Sequence, residues 1–338
     1  MTMINIHSQR GLTLVELMVA MTLQLILLVG VGQIFLGQKQ TYQVSDAFAR
    51  MQENGRYAIG TLQHDIRAAG YTGCRTLSDL RPNIIANNPP DYSTVGDAVQ
   101  GWDAGQWTAS TIGLSGSSGI TPLTATTDAI LISSVSSAGA NLTGNMAANN
   151  ANIQISSNPD NLEQGDAILI SDCENADLFR ASSVSSGGTI TIAHAQNVNS
   201  DNKLSKAYGG NATVLKFSSR TFFIGVSAAD PDQRPTLYMI EFDNATPQPL
   251  VSDVQEFQVF YQIDTNADGV PDSSVAAGAV TDWANVLGVR IGLLLRTDNN
   301  LAVDPQAITF NGANANPGND LRLRYAFWSS VAIRNRLQ

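Results

Sequence analysis

An apolar run near the amino terminus constrains this chain more than any other feature. It extends from Leu12 to Leu36, and about 20 apolar residues form a helix long enough to cross a bilayer. A signal peptide has a shorter apolar region followed by a small-residue cleavage site, whereas here Gly11, which follows the basic Arg10, precedes the run. The run therefore predicts a retained transmembrane helix with a cytoplasmic start and an exported, mostly acidic remainder.

Glu16 is the one acidic residue inside this run. A carboxylate within a bilayer is costly and needs a partner. Cleavage after Gly11 would supply one, because the new amine of Leu12 would lie one helical turn from Glu16. In an assembly, the amine of a neighbouring subunit would neutralise the same carboxylate and fix the axial register of packed helices. The alternative is a plain signal anchor that carries a stray glutamate.

The helix is predicted to continue beyond the membrane. No proline occurs before Pro82, and after Gly37 apolar residues recur at steps of three and four, as on one face of an amphipathic helix. Gly70 is a suitable stop. The apolar face consists of Phe48, Met51, Ala58, Ile59, Leu62, Ile66 and Ala69.

From Tyr71 onward, clusters of Gly, Pro, Asn and Ser separate short alternating segments that are typical of strands. Residues 108–161, rich in small and polar residues, are predicted to form long surface loops around a few strands. The expected fold class is α+β: a long N-terminal helix packed on an antiparallel sheet with large loops. The predicted strands are 189–194, 221–226, 237–242, 257–263, 287–295 and 321–325.

The stretch Gly11-Leu12-Thr13-Leu14-Val15-Glu16 resembles the signal of type IV pilins and related pseudopilins, in which Gly precedes Phe-Thr-Leu-x-Glu. The resemblance implies that a prepilin peptidase cuts after Gly11 and methylates Leu12, and that Glu16 pairs with a neighbour's amine during filament assembly. Leu12 stands where the family usually has Phe, which puts methylation in doubt more than cleavage.

A second stretch, MQENGRYAIGTLQHDIRAAGYTGC at 51–74, resembles the minor pilins of the PilW family, and WSSVAIRNR at 328–336 is similar to that family's C-terminal strand. Residues 77–161 show no such similarity. The resemblance implies a type IV pilin-like fold and a minor component of a type IV pilus. It divides the chain into a leader (1–11), a membrane or filament-core helix (12–36), its amphipathic continuation (37–70) and a globular head (71–338).

The function implied by the resemblance is structural. Minor pilins help to prime pilus assembly, and the pili serve twitching motility, adhesion or DNA uptake. The implied partners are other major and minor pilins, the prepilin peptidase and the inner-membrane assembly machinery. The implied location is the bacterial inner membrane, with the head in the periplasm, and then the pilus at the cell surface. The alternative is a minor pseudopilin of a type II secretion system, which shares Gly11 and Glu16 but is disfavoured by residues 56–74.

The chain has two cysteines, Cys74 and Cys173. In an exported protein, two cysteines favour one disulfide. The bridge would close a loop of about 100 residues and contribute on the order of 4–5 kcal/mol in the chain-entropy model. The alternative is two unrelated buried thiols.

A metal site is predicted in the stretch DTNADGVPD, Asp264 to Asp272. Its oxygen donors occupy positions 1, 3, 5 and 9, and a glycine occupies position 6, as in the first half of an EF-hand loop. Val275 stands where the bidentate Glu belongs, so Asp272, water or the distant Asp282 would have to complete the site. We expect structural Ca²⁺ here; the alternative is a polar hairpin loop. The predicted ligands are Asp264, Asn266, Asp268, Val270 through its carbonyl, and Asp272.

Enzyme and nucleic-acid functions find little support. The three histidines are scattered, and no metalloprotease, nucleophile-elbow or phosphate-loop motif occurs. The net charge of −10 argues against broad nucleic-acid binding, which needs a basic face. We therefore expect no catalysis and no evident nucleic-acid site. A late basic cluster is interpreted as solvated strand faces; it comprises Arg322, Arg324, Arg334 and Arg336.

Overall fold

The computed structural model describes residues 13–73, 80–87, 97–146, 152–241 and 244–336. Its longest element is helix α1, Leu14–Ala68. The predicted long helix is thus confirmed. It ends just before Gly70, whose φ of 70° is a left-handed conformation that favours glycine. The Gly70 N–H donates to the carbonyl of Ser133 at 2.8 Å, so the turn that ends α1 is tied to the head.

The described residues after α1 are mostly strands and loops. The strands are β1 (Asn83–Ile84), β2 (Val99–Trp102), β3 (Ile120–Pro122), β4 (Ala129–Val135), β5 (Ala140–Asn141), β6 (Asn152–Ile155), β7 (Ala167–Ser171), β8 (Ala176–Arg180), β9 (Ser183–Val184), β10 (Ile190–Ala193), β11 (Thr213–Ser227), β12 (Thr236–Glu241), β13 (Asn244–Ser252), β14 (Val254–Ile263), β15 (Ser273–Val275), β16 (Val286–Arg296), β17 (Thr309–Phe310), β18 (Ala313–Asn314) and β19 (Arg324–Ala332).

Two sheets build most of the head. The larger has the order β1-β8-β7-β11-β12-β13. Other stretches of β11 pair with β3, β4 and β5, and β4 pairs in turn with β2. The second has the order β15-β14-β16-β19. Strands β6, β10 and β9 form a small third sheet, and β17 pairs with β18. Pairing is antiparallel except between β1 and β8, which agrees with the predicted α+β class.

The main core lies where the second half of α1 meets both sheets. Leu62 and Ile66 of α1 are fully buried there, together with Phe222 of β11 and Phe257 of β14. Each such side chain contributes ~1.5–3 kcal/mol through burial. The amphipathic face predicted from the sequence is therefore the face that docks the helix on the head.

Candidate functional site

The start of α1 is closed by a capping box. Thr13 is the N-cap, and its hydroxyl accepts from the Glu16 N–H at 3.3 Å. In return, Oε2 of Glu16 accepts from the Thr13 N–H at 2.9 Å and from the Thr13 hydroxyl at 3.0 Å. The carboxylate of Glu16 thus holds the first turn of the helix. The predicted processing residues Gly11 and Leu12 lie outside the described residues, so the predicted amine pairing remains a prediction.

Thr13 is the residue that the sequence interpretation missed. A Thr followed three residues later by Glu, just before an apolar run, is the signature of a capping box. The same pattern Thr13-x-x-Glu16 was therefore present in the sequence. It gives Glu16 a role within its own chain, in addition to any role between chains.

The first half of α1 leaves its apolar side chains uncovered. Leu14 is 76% exposed, Ile26 69% and Leu36 64%. An 18-residue window of the helix has a mean hydropathy of 2.3, and none of it is buried. By length and composition this half of α1 can cross a membrane. A continuous apolar surface of this size also calls for cover by lipid or by partner helices.

The second half of α1 is fixed to the head by packing and by an ion-pair network. The ring of Phe48 meets that of Tyr325 edge-on at 5.5 Å, and Gln63 donates to the hydroxyl of Ser329 at 2.6 Å. Nη1 of Arg220 donates to both carboxylate oxygens of the buried Asp65, at 3.2 and 3.3 Å, and Nη2 of Arg220 lies 3.4 Å from Glu241. These contacts attach the second half of α1 to the head.

The predicted calcium loop connects β14 to β15 and is ordered by its own carboxylates. Oδ1 of Asp264 accepts from the N–H groups of Asn266 (3.2 Å) and Ala267 (2.7 Å), and its Oδ2 accepts from the N–H of Gly269 at 2.8 Å. Gly269 has φ 81°, the left-handed conformation that position 6 of such a loop requires.

Three further side chains of the loop converge. Nδ2 of Asn266 donates to Asp268 Oδ2 at 3.2 Å and to Asp272 Oδ1 at 3.4 Å, while Oδ1 of Asn266 accepts from the Asp268 N–H at 3.0 Å. Hydrogen bonds from the hydroxyl and the N–H of Thr265 lower the pKa of Asp272, so this carboxylate keeps its negative charge. The oxygen donors and the turn therefore suit Ca²⁺ in kind.

The carboxylates alone do not complete a site. Within the described ranges, no three side chains of the His, Cys, Asp and Glu types are grouped so as to hold a metal ion by themselves. Val275 lies in β15, and Asp282 caps a short turn by accepting from the Ala284 N–H at 2.9 Å. Asn266, the Val270 carbonyl or water would have to supply the remaining ligands.

Comparison with known families gives two matches. The model for the type IV pilus-assembly protein W matches residues 221–335, and the model for the prokaryotic N-terminal methylation motif matches residues 6–32. Over these two regions the chain is similar to PilW-family type IV pilins. A search of the curated proteins finds no match for it. The two matched regions are the strands that hold α1 and the start of α1 itself.

The match to the N-terminal methylation motif explains the exposed half of α1. In a pilin with an N-terminal methylation motif, an apolar N-terminal helix is a membrane anchor, and its partners are pilus-related. The PilW family is a structural one. Of the two histidines in the described ranges, His64 is exposed on α1 beside Asp65, and His194 is buried against Phe179 at 5.0 Å.

The structure describes one of the two cysteines that are predicted to form a disulfide. Cys173 lies in the exposed turn between β7 and β8 with φ 72°, and its N–H donates to the Ser171 hydroxyl at 3.1 Å. Cys74 lies outside the described residues. The alternative of two buried thiols does not hold for Cys173, which is exposed, and the bridge itself stays a prediction.

The interpretation of the late arginines as solvated strand faces is wrong for Arg324. This residue is 4% exposed, and its guanidinium donates to both carboxylate oxygens of Asp320, at 2.7 and 2.9 Å. Arg322 donates to the carbonyl of Thr297 at 3.0 Å, and only Arg334 fits the expected exposed position. A buried arginine with a carboxylate partner satisfies its charge without water.

Proposed function

We propose that this chain is a PilW-family minor pilin that helps to prime and build a type IV pilus. The observation that carries the proposal is the division of α1. Its first half is apolar and uncovered from Leu14 to Leu36, while its second half is docked on the head through Leu62 and Ile66. Such a helix can pass from lipid into a bundle of like helices without rearranging the head.

In this proposal the chain inserts in the inner membrane with its head in the periplasm. A prepilin peptidase cuts after Gly11, and Leu12 becomes the new amino terminus. Glu16 then aligns the subunit with its neighbours. The capping box supports this role, because Thr13 holds the Glu16 carboxylate at the helix start, close to where the terminal amine of an adjacent subunit would arrive.

The test separates the charge of Glu16 from its capping role. Glu16→Gln keeps an acceptor for the Thr13 N–H but removes the charge, whereas Glu16→Ala removes both. We expect both variants to be cut after Gly11 and both to be depleted from pili sheared from cells. Glu53→Ala is the matched control, because Glu53 is an exposed residue of the docked half of α1. This variant should enter pili normally. Normal entry of Glu16→Gln would show that the charge does not align the subunit.

The alternative assembly is the pseudopilus of a type II secretion system, which uses the same N-terminal processing. Deleting the gene and scoring surface pili against secreted enzymes separates the two. Loss of pili with intact secretion supports the type IV pilus. Whether the pili serve twitching motility, adhesion or DNA uptake is decided by the same deletion, with one assay for each.

We also propose that the Asp264–Asp272 loop holds a structural Ca²⁺ ion. The convergence of Asn266, Asp268 and Asp272 supports it, as does the left-handed Gly269. Bound calcium would offset the repulsion of the loop carboxylates and fix the β14–β15 connection.

A further inference from the structure

The sheet β15-β14-β16-β19 has one long outer edge, and that edge is β19. Among the described residues, no second strand pairs with β19. Its pairing with β16 runs from Arg324 opposite Arg296 to Ala332 opposite Gly288 without a register shift. An edge of this kind presents a row of unpaired backbone groups and is a template for another strand.

The hydrogen bonds at both ends of β19 show which groups point outward. Arg324 donates its N–H to Oε1 of Gln306 at 2.7 Å and accepts from Nε2 of the same side chain at 3.2 Å, away from β16. The N–H of Ile333 instead bonds to Leu287 at 2.8 Å, within the ladder. Since direction alternates along a strand, the outward-facing residues beyond Arg324 are Ala326, Trp328, Ser330 and Ala332.

The side chain of Gln306 forms the two hydrogen bonds with Arg324 that an added strand would form. Its carboxamide offers one donor and one acceptor to the backbone of Arg324, which is the pattern that a peptide group of an added strand presents. The groups at Ala326 to Ala332 continue the same row.

The chain protects its other long edge and leaves this one open. Edge strand β13 contains Pro247 and Pro249, and its pairing with β12 has two register shifts. Prolines and bulges are the usual means of blunting an edge. In β19, by contrast, no proline occurs, and no charged residue follows Arg324.

Two large aromatic side chains stand at this edge, on its opposite faces. Tyr325 is 41% exposed and packs against Phe48, and Trp328 is 38% exposed and stacks on Phe310 at 5.0 Å. Both are thus held in place by packing while part of each ring meets solvent. A strand added along β19 would cover both.

Two arrangements of a second copy of the chain do not suit this edge. Phe48 meets Tyr325 and Gln63 meets Ser329, so α1 and β19 run in the same direction. Antiparallel self-pairing of β19 would therefore point the two α1 anchors in opposite directions, which one membrane does not permit. Stacking copies with parallel anchors and the same sheet face turned to the same side would bring β19 against β15, which has only 3 residues.

We propose that a strand from a different pilin-type subunit, anchored parallel to this one, adds to β19 over Ala326–Ala332. The proposal rests on the proposed pilus function, because it needs a neighbour that is held in the same membrane or filament. Main-chain hydrogen bonds supply the affinity, and the partner's alternate side chains meet Tyr325 and Phe327 on one face and Trp328 on the other.

The test uses the full-length chain in detergent, co-produced in turn with each other chain of its genome that carries an N-terminal methylation motif. Ser330→Pro removes an outward N–H and leaves the β16 ladder intact; Ser330→Ala, which keeps that N–H, is the matched control. We expect Ser330→Pro to lower recovery of the partner at least tenfold and Ser330→Ala to stay within twofold of the native chain.

Residue-level hydrogen exchange on the native chain gives a readout that does not depend on the proline variant folding. The amides of Ala326, Trp328, Ser330 and Ala332 should exchange at least tenfold more slowly in the complex than in the isolated chain. Unchanged exchange in the complex overturns the proposal, and so does equal partner recovery with Ser330→Pro and Ser330→Ala. Protection that appears in the isolated chain as its concentration rises would show self-association, which also overturns it.

The outcome for the edge is distinct from the outcome for the proposed function. If a partner binds the native chain and the Ser330→Pro chain equally well, strand addition at β19 is rejected and the proposed pilin function is unaffected. If no chain with a methylation motif binds the native protein, the edge proposal falls, while cleavage at Gly11 and entry into pili test the proposed function independently.

Discussion

Gly55 of α1 lies directly against the ring of Phe327 in β19, and a Cβ atom at position 55 would overlap that ring. The absence of a side chain lets the helix and the C-terminal sheet approach closely. This contact lies in the middle of the docked half of α1, between the contacts of Phe48 and Gln63 with the same strand.

Gly55→Ala should therefore destabilise the chain although alanine favours helices. Overpacking costs about 1–3 kcal/mol, and replacing a helical glycine returns about 0.5–1 kcal/mol, so we expect a net loss of up to about 2.5 kcal/mol. Gly60→Ala is the matched control, because position 60 is exposed with open space around it. Urea unfolding in detergent measures both variants. A Gly55→Ala chain as stable as Gly60→Ala would contradict the close contact.

Asp128 should make stability depend on pH. Burial raises the pKa of its carboxyl to about 6, although the N–H groups of Val259 (2.8 Å) and Ala104 (2.9 Å) act against the rise. In the unfolded chain an aspartate has a pKa near 3.9, so the folded state binds more protons between the two values and stability falls as pH rises through that window.

The native chain should therefore lose up to about 3 kcal/mol, relative to Asp128→Asn, between about pH 4 and about pH 7. Urea unfolding of both chains across this range measures the difference. A difference that does not change with pH would show that Asp128 is as ionisable in the fold as in water.

Calcium should raise the melting temperature if the Asp264–Asp272 loop holds it. Asp268→Asn should abolish the shift, because it weakens a ligand without removing the Asp264 hydrogen bonds that shape the loop. Val270→Ala should retain the shift, since only the carbonyl of Val270 is a predicted ligand and its side chain is 60% exposed. Thermal unfolding after chelation, with and without millimolar calcium, tests this; equal melting temperatures in the native chain would reject the site.

Two cysteine substitutions distinguish a disulfide from independent thiols. If Cys74 and Cys173 are joined, each single change to Ser should lower the free energy of unfolding by on the order of 4–5 kcal/mol, and the double change should cost no more than one of them. Independent thiols would give single effects that add. Urea unfolding under non-reducing conditions separates the two results.

Much of the fold was predictable because it follows from local patterns. The spacing of apolar residues such as Leu62 and Ile66 predicted the docked face of α1, and alternation predicted strands at β14 and β16. What local patterns do not contain is the partner of each strand. The segment 221–226 was predicted as a strand, yet β11 begins at Thr213, because its first part pairs with β7 and β5 and its later part with β4, β12 and β3.

The C-terminal strand shows the limit of alternation. The pattern at 321–325 predicted a strand there, but β19 begins at Arg324. Arg322 and Arg324 are the polar positions of the alternating pattern, yet both side chains bond within the protein. Arg322 donates to the carbonyl of Thr297, and Arg324 donates to the carboxylate of Asp320. The alternation of polar and apolar residues does not show which group in the fold will pair with a charged side chain.

At the candidate site, the sequence pointed to Glu16. The only partners predicted for its carboxylate were the amine of Leu12 after cleavage and the amine of a neighbouring chain. The bond to Thr13 is short-range and could have been predicted from its spacing. The open edge at β19 could not, because it depends on strand order within the sheet.

The intact mass of the protein extracted from the bacterial envelope tests the central claim most directly. The account predicts a chain that begins at a methylated Leu12 and lacks the thiol hydrogens of Cys74 and Cys173. A chain that still begins at Met1 would contradict pilin processing and would leave Glu16 as a capping residue in a simple membrane anchor.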